Sequence, residues 1–385
     1  MSRFLRGCGY ALGAAAATAF CWSYFGAAVP LPGWGAATSA AFAQAAPEPE
    51  LKFDVYAAGC LKDLEEVGKI HFPPVLQCAD GPILPITHGG IAIAAAVPAD
   101  SVNFTDATTC DRPPLLDISG GGIGQCVPNA RLQVRKVRQD GVSDEKNWPR
   151  YALLCRNYKF RSLEQEESVP EYDDVAMIIH SPVNKKTCFF QRFADTALFF
   201  QPIESSAFDA LDAISGENIP SPFEAGGTAF WDKPSVVKDI NCARCHDANP
   251  FVRSPYAHQV TMGANALPPR KPGEAYGIAW LDHFGDEWKQ FHAFFDIKQT
   301  GPGEPGACLT CHSLGPGFST GTFLDYSAGT LAPGQFDTGN FADTHWMPPG
   351  ANVTNWATRY DESLKALRAC NADPDKVGCE KTSLH

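Results

Sequence analysis

The pentapeptide Cys-x-x-Cys-His occurs twice, as Cys242-Ala243-Arg244-Cys245-His246 and as Cys308-Leu309-Thr310-Cys311-His312. No other feature constrains the chain so tightly. Two thiols three positions apart, with an imidazole beside the second, suit covalent haem attachment. Each sulfur forms a thioether to a haem vinyl group and the histidine turns onto the iron. The spacing is short because the porphyrin edge must meet both sulfurs while the next residue reaches its face. A single copy is also compatible with chance, half a zinc site or a dithiol redox pair. Two copies, in a chain that begins like an exported protein, point to two covalently bound haem c groups, with iron held by His246 and His312.

The N-terminus reads as a secretory signal peptide over residues 1–45. Arg3 and Arg6 form a basic start, and an uncharged stretch runs from Gly7 to Pro47. Ala41-Phe42-Ala43 and Ala43-Gln44-Ala45 are small-x-small cleavage sites. The arginines are not adjacent, which argues against a twin-arginine route, and Phe20 before Cys21 argues against lipidation. The alternative is an uncleaved anchor helix from about Tyr10 to Val29, the one way this chain would touch a membrane. Export predicts a periplasmic or extracellular location.

Cysteine usage agrees with an oxidising compartment. Of 14 cysteines, four lie in the haem motifs and Cys8 and Cys21 in the leader. The remaining eight are Cys60, Cys78, Cys110, Cys126, Cys155, Cys188, Cys370 and Cys379, enough for four disulfides. Nearest-neighbour pairing is expected, with Cys370–Cys379 the most secure because that pair stands alone at its end.

At 385 residues, 44% hydrophobic and 19% charged, the chain has room for two cores and no signature of disorder. Its formal charge of -12 disfavours nucleic acid and anionic membranes and favours a basic or neutral partner. The densest basic run, Arg131, Arg135, Lys136 and Arg138, reads as a solvated strand face. Ser119-Gly120-Gly121-Gly122-Ile123-Gly124 lacks the last glycine of a dinucleotide fingerprint, since Gln125 stands there, and reads as a turn.

Residues 46–215 read as a β-rich, disulfide-stapled domain. Ile91 to Val97 is a short apolar run. Arg131 to Arg135 and Tyr151 to Cys155 alternate with period two. Asp174 to His180 and Thr187 to Phe193 are strand-like, with a hairpin turn at Ser181-Pro182-Val183-Asn184. Residues 216–385 read differently. Ser235 to Ile240 is a short helix feeding the first motif. Phe284, Trp288, Phe291 and Phe295 recur with helical spacing, in a helix ending near Lys298. Trp356, Tyr360, Leu364 and Leu367 mark one face of a last helix capped by Thr354 or Asn355.

This second half resembles the c-type cytochromes, on the two pentapeptides, on His345-Trp346-Met347-Pro348-Pro349 and on the aromatic-bearing final helix. The resemblance implies a few helices wrapped around haem with little sheet. The expected fold class is therefore a two-domain α+β chain: the β-rich domain, then a mainly α-helical, cytochrome c-like two-haem domain. It also implies that Met347, before a proline in a Gly/Pro-rich loop, is the distal ligand of the second haem, with His345 as rival. For the first haem, His292 beside the aromatic stripe is the candidate distal ligand. Met262, His258 and His283 are alternatives, as is an iron with no protein ligand on that side. The motif spacing leads to the expectation that both haems share one compact domain.

The function expected is electron transfer with a redox partner protein. One alternative is a haem-dependent oxidoreductase of the two-haem peroxidase kind with one open iron. In that family, however, the motifs lie farther apart and the first lies near the mature start. Another is a surface-binding N-terminal module with an accessory haem domain.

Overall fold

The computed structural model describes residues 50–85, 87–88, 91–92, 129–156, 170–194, 213–242, 246, 249–251, 257, 260–261, 263–268, 277–280, 284, 288, 293–296, 307–310, 312, 314–315, 320, 324 and 353–383. All lie in one compact unit, Glu50–His385. In chain order its elements are α1 (Phe53–Leu64), β1 (Val75–Leu76), β2 (Thr87–His88), β3 (Ile91–Ala92), β4 (Arg131–Lys136), β5 (Arg150–Arg156), β6 (Glu171–Tyr172), β7 (Asp174–His180), β8 (Lys186–Phe193), β9 (Ile214–Ser215), β10 (Ile219–Pro220), α2 (Gly227–Phe230), α3 (Pro234–Ile240), β11 (Gly277–Ile278), β12 (Ala293–Asp296), α4 (Val353–Ala372) and β13 (Glu380–Ser383). No helix among the described residues is long and apolar enough to cross a membrane.

The centre is a five-stranded sheet in the order β11-β8-β7-β5-β4. β4, β5, β7 and β8 pair antiparallel, and β11 adds parallel to β8. β4 and β5 form where the sequence alternates and β7 and β8 where it runs strand-like, and β5 shows the reason for the alternation. Tyr151, Leu153 and Cys155 are buried, whereas Ala152, Leu154 and Arg156 are half-buried on the other face. The β7–β8 hairpin closes through Ser181 and Lys185, whose N–H groups donate to Lys186 and Ser181 carbonyls at 2.9 Å each. Lys185 takes the left-handed conformation there (φ 66°). The basic run is tied down within the chain. Arg135 donates to the Asp80 carbonyl, Lys136 pairs with Glu145 and Arg138 with Asp140.

The sheet face carrying Tyr151, Leu153, Cys155, Val175, Met177, Cys188 and Phe190 is covered by α1, whose buried residues are Phe53, Tyr56, Ala57, Gly59, Cys60 and Leu64. Their helical spacing was there to be read, yet this stretch was expected to be strand-like; α1 is an element the sequence reading missed. Two disulfides cross this interface, Cys60–Cys188 and Cys78–Cys155, and a third, Cys370–Cys379, joins the end of α4 to the start of β13. The last matches expectation. The first two correct the nearest-neighbour rule, because Cys155 and Cys188 lie on the face that α1 and the Cys78 turn cover. Cys110 and Cys126 lie outside the described residues, as do the Ser119–Gly124 run and the end of the Ile91–Val97 run. Three such pairs are compatible with an oxidising environment outside the cell.

The expected fold class is not what forms. The described structure is β-rich around a mixed sheet, with four α-helices among the described residues, and those residues do not show a mainly α-helical second half. One hydrophobic core contains residues from both halves: Phe53, Tyr56, Met177 and Phe189 with Trp231, Val237, Ile278, Phe284 and Trp288. β11 joins the sheet directly. Gly59 on α1 lies against the Trp280 ring so closely that a Cβ there would sit 1.8 Å from it. The helix expected through Phe295 is also corrected. Phe284 and Trp288 stack, with ring centroids 4.5 Å apart, but Ala293–Asp296 is a strand paired with Glu380–Ser383. A local aromatic spacing cannot register a partner strand so far along the chain. α3 and α4 form where helices were expected, although α4 begins at Val353 and so includes Thr354 and Asn355 rather than being capped by them.

Candidate functional site

The first motif follows α3, which Pro234 opens at a position where no amide donor is needed. Asn241 ends the helix in the left-handed conformation (φ 53°) and turns the chain into Cys242. The His246 N–H then donates to the Cys242 carbonyl at 2.9 Å, one α-helical turn. In the second motif the His312 N–H donates to the Cys308 carbonyl at 3.0 Å. In each motif the histidine N–H therefore returns to the carbonyl of the first cysteine, four positions back. Residues four apart on a helical turn are neighbours on one side, so each histidine stands beside the first cysteine of its motif.

Around His246 the setting is apolar and aromatic. Its ring packs against Phe189 of β8, centroids 5.7 Å apart, and Phe189 packs against Trp288 at 5.7 Å. Phe284, Tyr56 and Phe190 continue the cluster beside β8. The Trp288 indole N–H donates to the Lys238 carbonyl at 3.1 Å, fixing the cluster to the end of α3. His246 Nδ1 lies 2.8 Å from the Pro250 carbonyl oxygen. A carbonyl only accepts, so Nδ1 carries the proton and Nε2 is the nitrogen suited to a metal. Desolvation lowers the His246 pKa to about 4, against a smaller opposing effect of the Pro250 bond, so the ring is neutral at pH 7.

The second motif belongs to a different cluster. Cys308 and Leu309 are buried with Leu314, Leu324 and the α4 side chains Tyr360, Leu364 and Leu367. The Cys308 N–H donates to Ser363 Oγ at 3.0 Å, which pins the start of the motif to α4. The two motifs thus rest on two separate apolar clusters, the first on the sheet and the second on the last helix.

Cys245, Cys311, Met347 and His292 lie outside the described residues, as do Met262, His258, His283 and His345. Met177 is buried in the sheet core. His71 pairs with Asp140 at 2.9 Å, and His180 Nδ1 lies 2.8 Å from Thr187 Oγ1. Among the described residues no group of three or more His, Cys, Asp or Glu is placed to hold a metal ion. The sequence reading missed Pro250, Phe189 and Ser363. Pro250, four positions beyond His246, was the one within reach of a local argument. Compared with known proteins, the chain matches no family model, no curated protein and no solved structure.

Proposed function

We propose that the chain is an exported electron carrier of the c-type cytochrome kind, working in the periplasm or outside the cell after loss of a leader over residues 1–45. In this reading one haem is attached through Cys242 and Cys245, with His246 on its iron, and another through Cys308 and Cys311, with His312 on its iron. The haems supply a reversible one-electron store. Met347 is the distal ligand of the second haem and His292 that of the first.

The single observation that carries the reading is the hydrogen bond, made in both motifs, from the histidine N–H to the carbonyl of the first cysteine. It sets the first cysteine and the histidine on one side, as attachment and ligation from one face require. The chain's own residues have definite tasks. The Pro250 carbonyl orients the His246 ring and raises its basicity. Phe189 and Trp288 keep water from it, which tunes potential through local polarity. Ser363 holds the second attachment turn against α4. An acidic chain suits a neutral or basic redox partner. Visible spectra of the oxidised and reduced protein test the proposal. The expected result is low-spin, six-coordinate haem in both states that ignores cyanide and peroxide. A high-spin iron that binds cyanide and consumes peroxide overturns it in favour of an oxidoreductase.

A further inference from the structure

β1 and β10 pair antiparallel, with Val75 opposite Pro220 and Leu76 opposite Ile219. The Ser221 N–H lengthens the ribbon by donating to the Pro74 carbonyl at 3.0 Å. Leu76 and Ile219 point inward and are buried in the core. Val75 and Pro220 stand one position along each strand and so face outward, the first exposed and the second half-buried. Gly226 lies so close that a Cβ there would sit 3.2 Å from Pro220 Cβ, which brings the exposed Ala225 to the ribbon. Half-buried Phe72 and Phe223 meet edge to face, centroids 5.2 Å apart. The result is an apolar surface of Phe72, Pro74, Val75, Pro220, Phe223 and Ala225. Exposed Glu217 and Glu224 flank it. An apolar patch with a charged rim marks a contact surface.

This surface is joined to the first motif through β8. The Phe223 ring lies 5.9 Å from the Phe190 ring. Phe190 and Phe189 share a peptide bond and point to opposite faces of the strand. Phe189 in turn packs on His246 at 5.7 Å. Two ring contacts and one piece of backbone therefore lead from the surface to the imidazole. Tyr56 steadies that backbone through both its bonds to Phe189. Electrons tunnel more readily along bonded and touching atoms than across gaps.

We propose that the Phe72–Val75–Phe223 surface is the docking site of the redox partner, a protein with an apolar contact area ringed by lysine and arginine, and that Phe190 and Phe189 link it to His246. The inference rests on the electron-carrier reading above and deepens it by naming the surface and the partner's chemistry. Charge selects this occupant. Glu217, Glu224 and the formal charge of -12 attract a basic protein and repel an anionic membrane or a second copy of this chain. Redox encounters use small interfaces, and an apolar centre within a polar rim is the usual anatomy. One electron passes outward, so the carrier is oxidised and the partner's metal reduced; no bond forms or breaks.

The experiment is made on the full-length holoprotein, with a basic cytochrome c as the probe. Val75→Lys, Ala225→Lys and Glu224→Gln change exposed positions on the patch, where side chains have room. Val183→Lys, exposed in the β7–β8 turn, makes the same single-unit change of charge away from it. Binding is read by titration calorimetry at low salt and electron transfer by stopped flow. The three patch variants are expected to bind the probe about tenfold more weakly than Val183→Lys and to reduce it more slowly. Phe190→Leu is expected to keep the wild-type affinity and midpoint potentials but to slow transfer within the saturated complex. A chain without covalent haem sinks the carrier reading. A two-haem chain that does not bind the probe, or whose patch variants bind it as Val183→Lys does, overturns the docking surface alone. So does a patch whose substitution instead abolishes self-association in sedimentation, or binding to anionic phospholipid vesicles. An unchanged transfer rate in Phe190→Leu overturns the link through β8.

Discussion

Replacing Tyr56 with Phe tests how the first motif is supported. The Tyr56 hydroxyl donates to the Phe189 carbonyl at 3.0 Å and accepts from the Phe189 N–H at 3.0 Å. It supplies the pairing that a longer β11 would give, since β11 reaches only Lys186 and Thr187 of β8. Phe keeps the ring and opens no cavity, so the loss is confined to two buried backbone groups. Each unsatisfied group costs about 1–3 kcal/mol, giving an expected destabilisation of about 2–6 kcal/mol in urea unfolding. A second readout is alkaline pH. Burial pushes the Tyr56 phenol well above the usual range, and burial also raises Tyr151, to about 12. Both stay protonated in the native state while the unfolded chain ionises near pH ~10. The stability they contribute is therefore complete below pH ~10 and falls as pH rises through the native values. In Tyr56→Phe this fall is shallower by up to ~1.4 kcal/mol per pH unit, leaving the Tyr151 share. A loss below ~0.5 kcal/mol, the range of ordinary surface substitutions, with an unchanged alkaline slope, would refute the reasoning.

Three further outcomes are expected. Asn265 accepts from the Val134 N–H at 2.5 Å and donates to the Leu132 and Val260 carbonyls at 3.1 and 2.7 Å, closing the outer edge of β4. Asn265→Ala should cost about 2–4 kcal/mol in denaturant unfolding. Replacing both Cys60 and Cys188 with Ala opens a loop with a sequence separation of 128, and the midpoint of unfolding should fall by the equivalent of about 3–5 kcal/mol. Met347→Ala should lower the midpoint potential of one haem in a redox titration, because a thioether favours reduced iron.

The strands of the central sheet were legible because alternation in Arg131–Lys136 and Arg150–Arg156, and the strand-like runs Asp174–His180 and Lys186–Phe193, are local properties of the sequence. The helices around Val237 and Leu364 were legible for the same reason. What failed was long-range. Cys60 and Cys188 meet because α1 lies across β8, a relation absent from cysteine spacing. Phe295 fits a helical stripe, yet β13 captures its segment as a strand. The division into a β-rich half and a helical half failed because Trp231, Val237, Phe284 and Trp288 complete the core that α1 begins. Cys242, His246, Cys308 and His312 could be named from the sequence, since the motif is itself local. Phe189 could not, because only the register of β8 brings it beneath His246.

The most direct test is the mass of the intact, purified chain after denaturation in detergent, read beside a haem stain of the same gel band. Two porphyrins bound through thioethers should remain on every chain, with one lost when Cys242 and Cys245 are both replaced by Ala and the other when Cys308 and Cys311 are. A colourless band whose mass is that of the polypeptide alone would contradict the account.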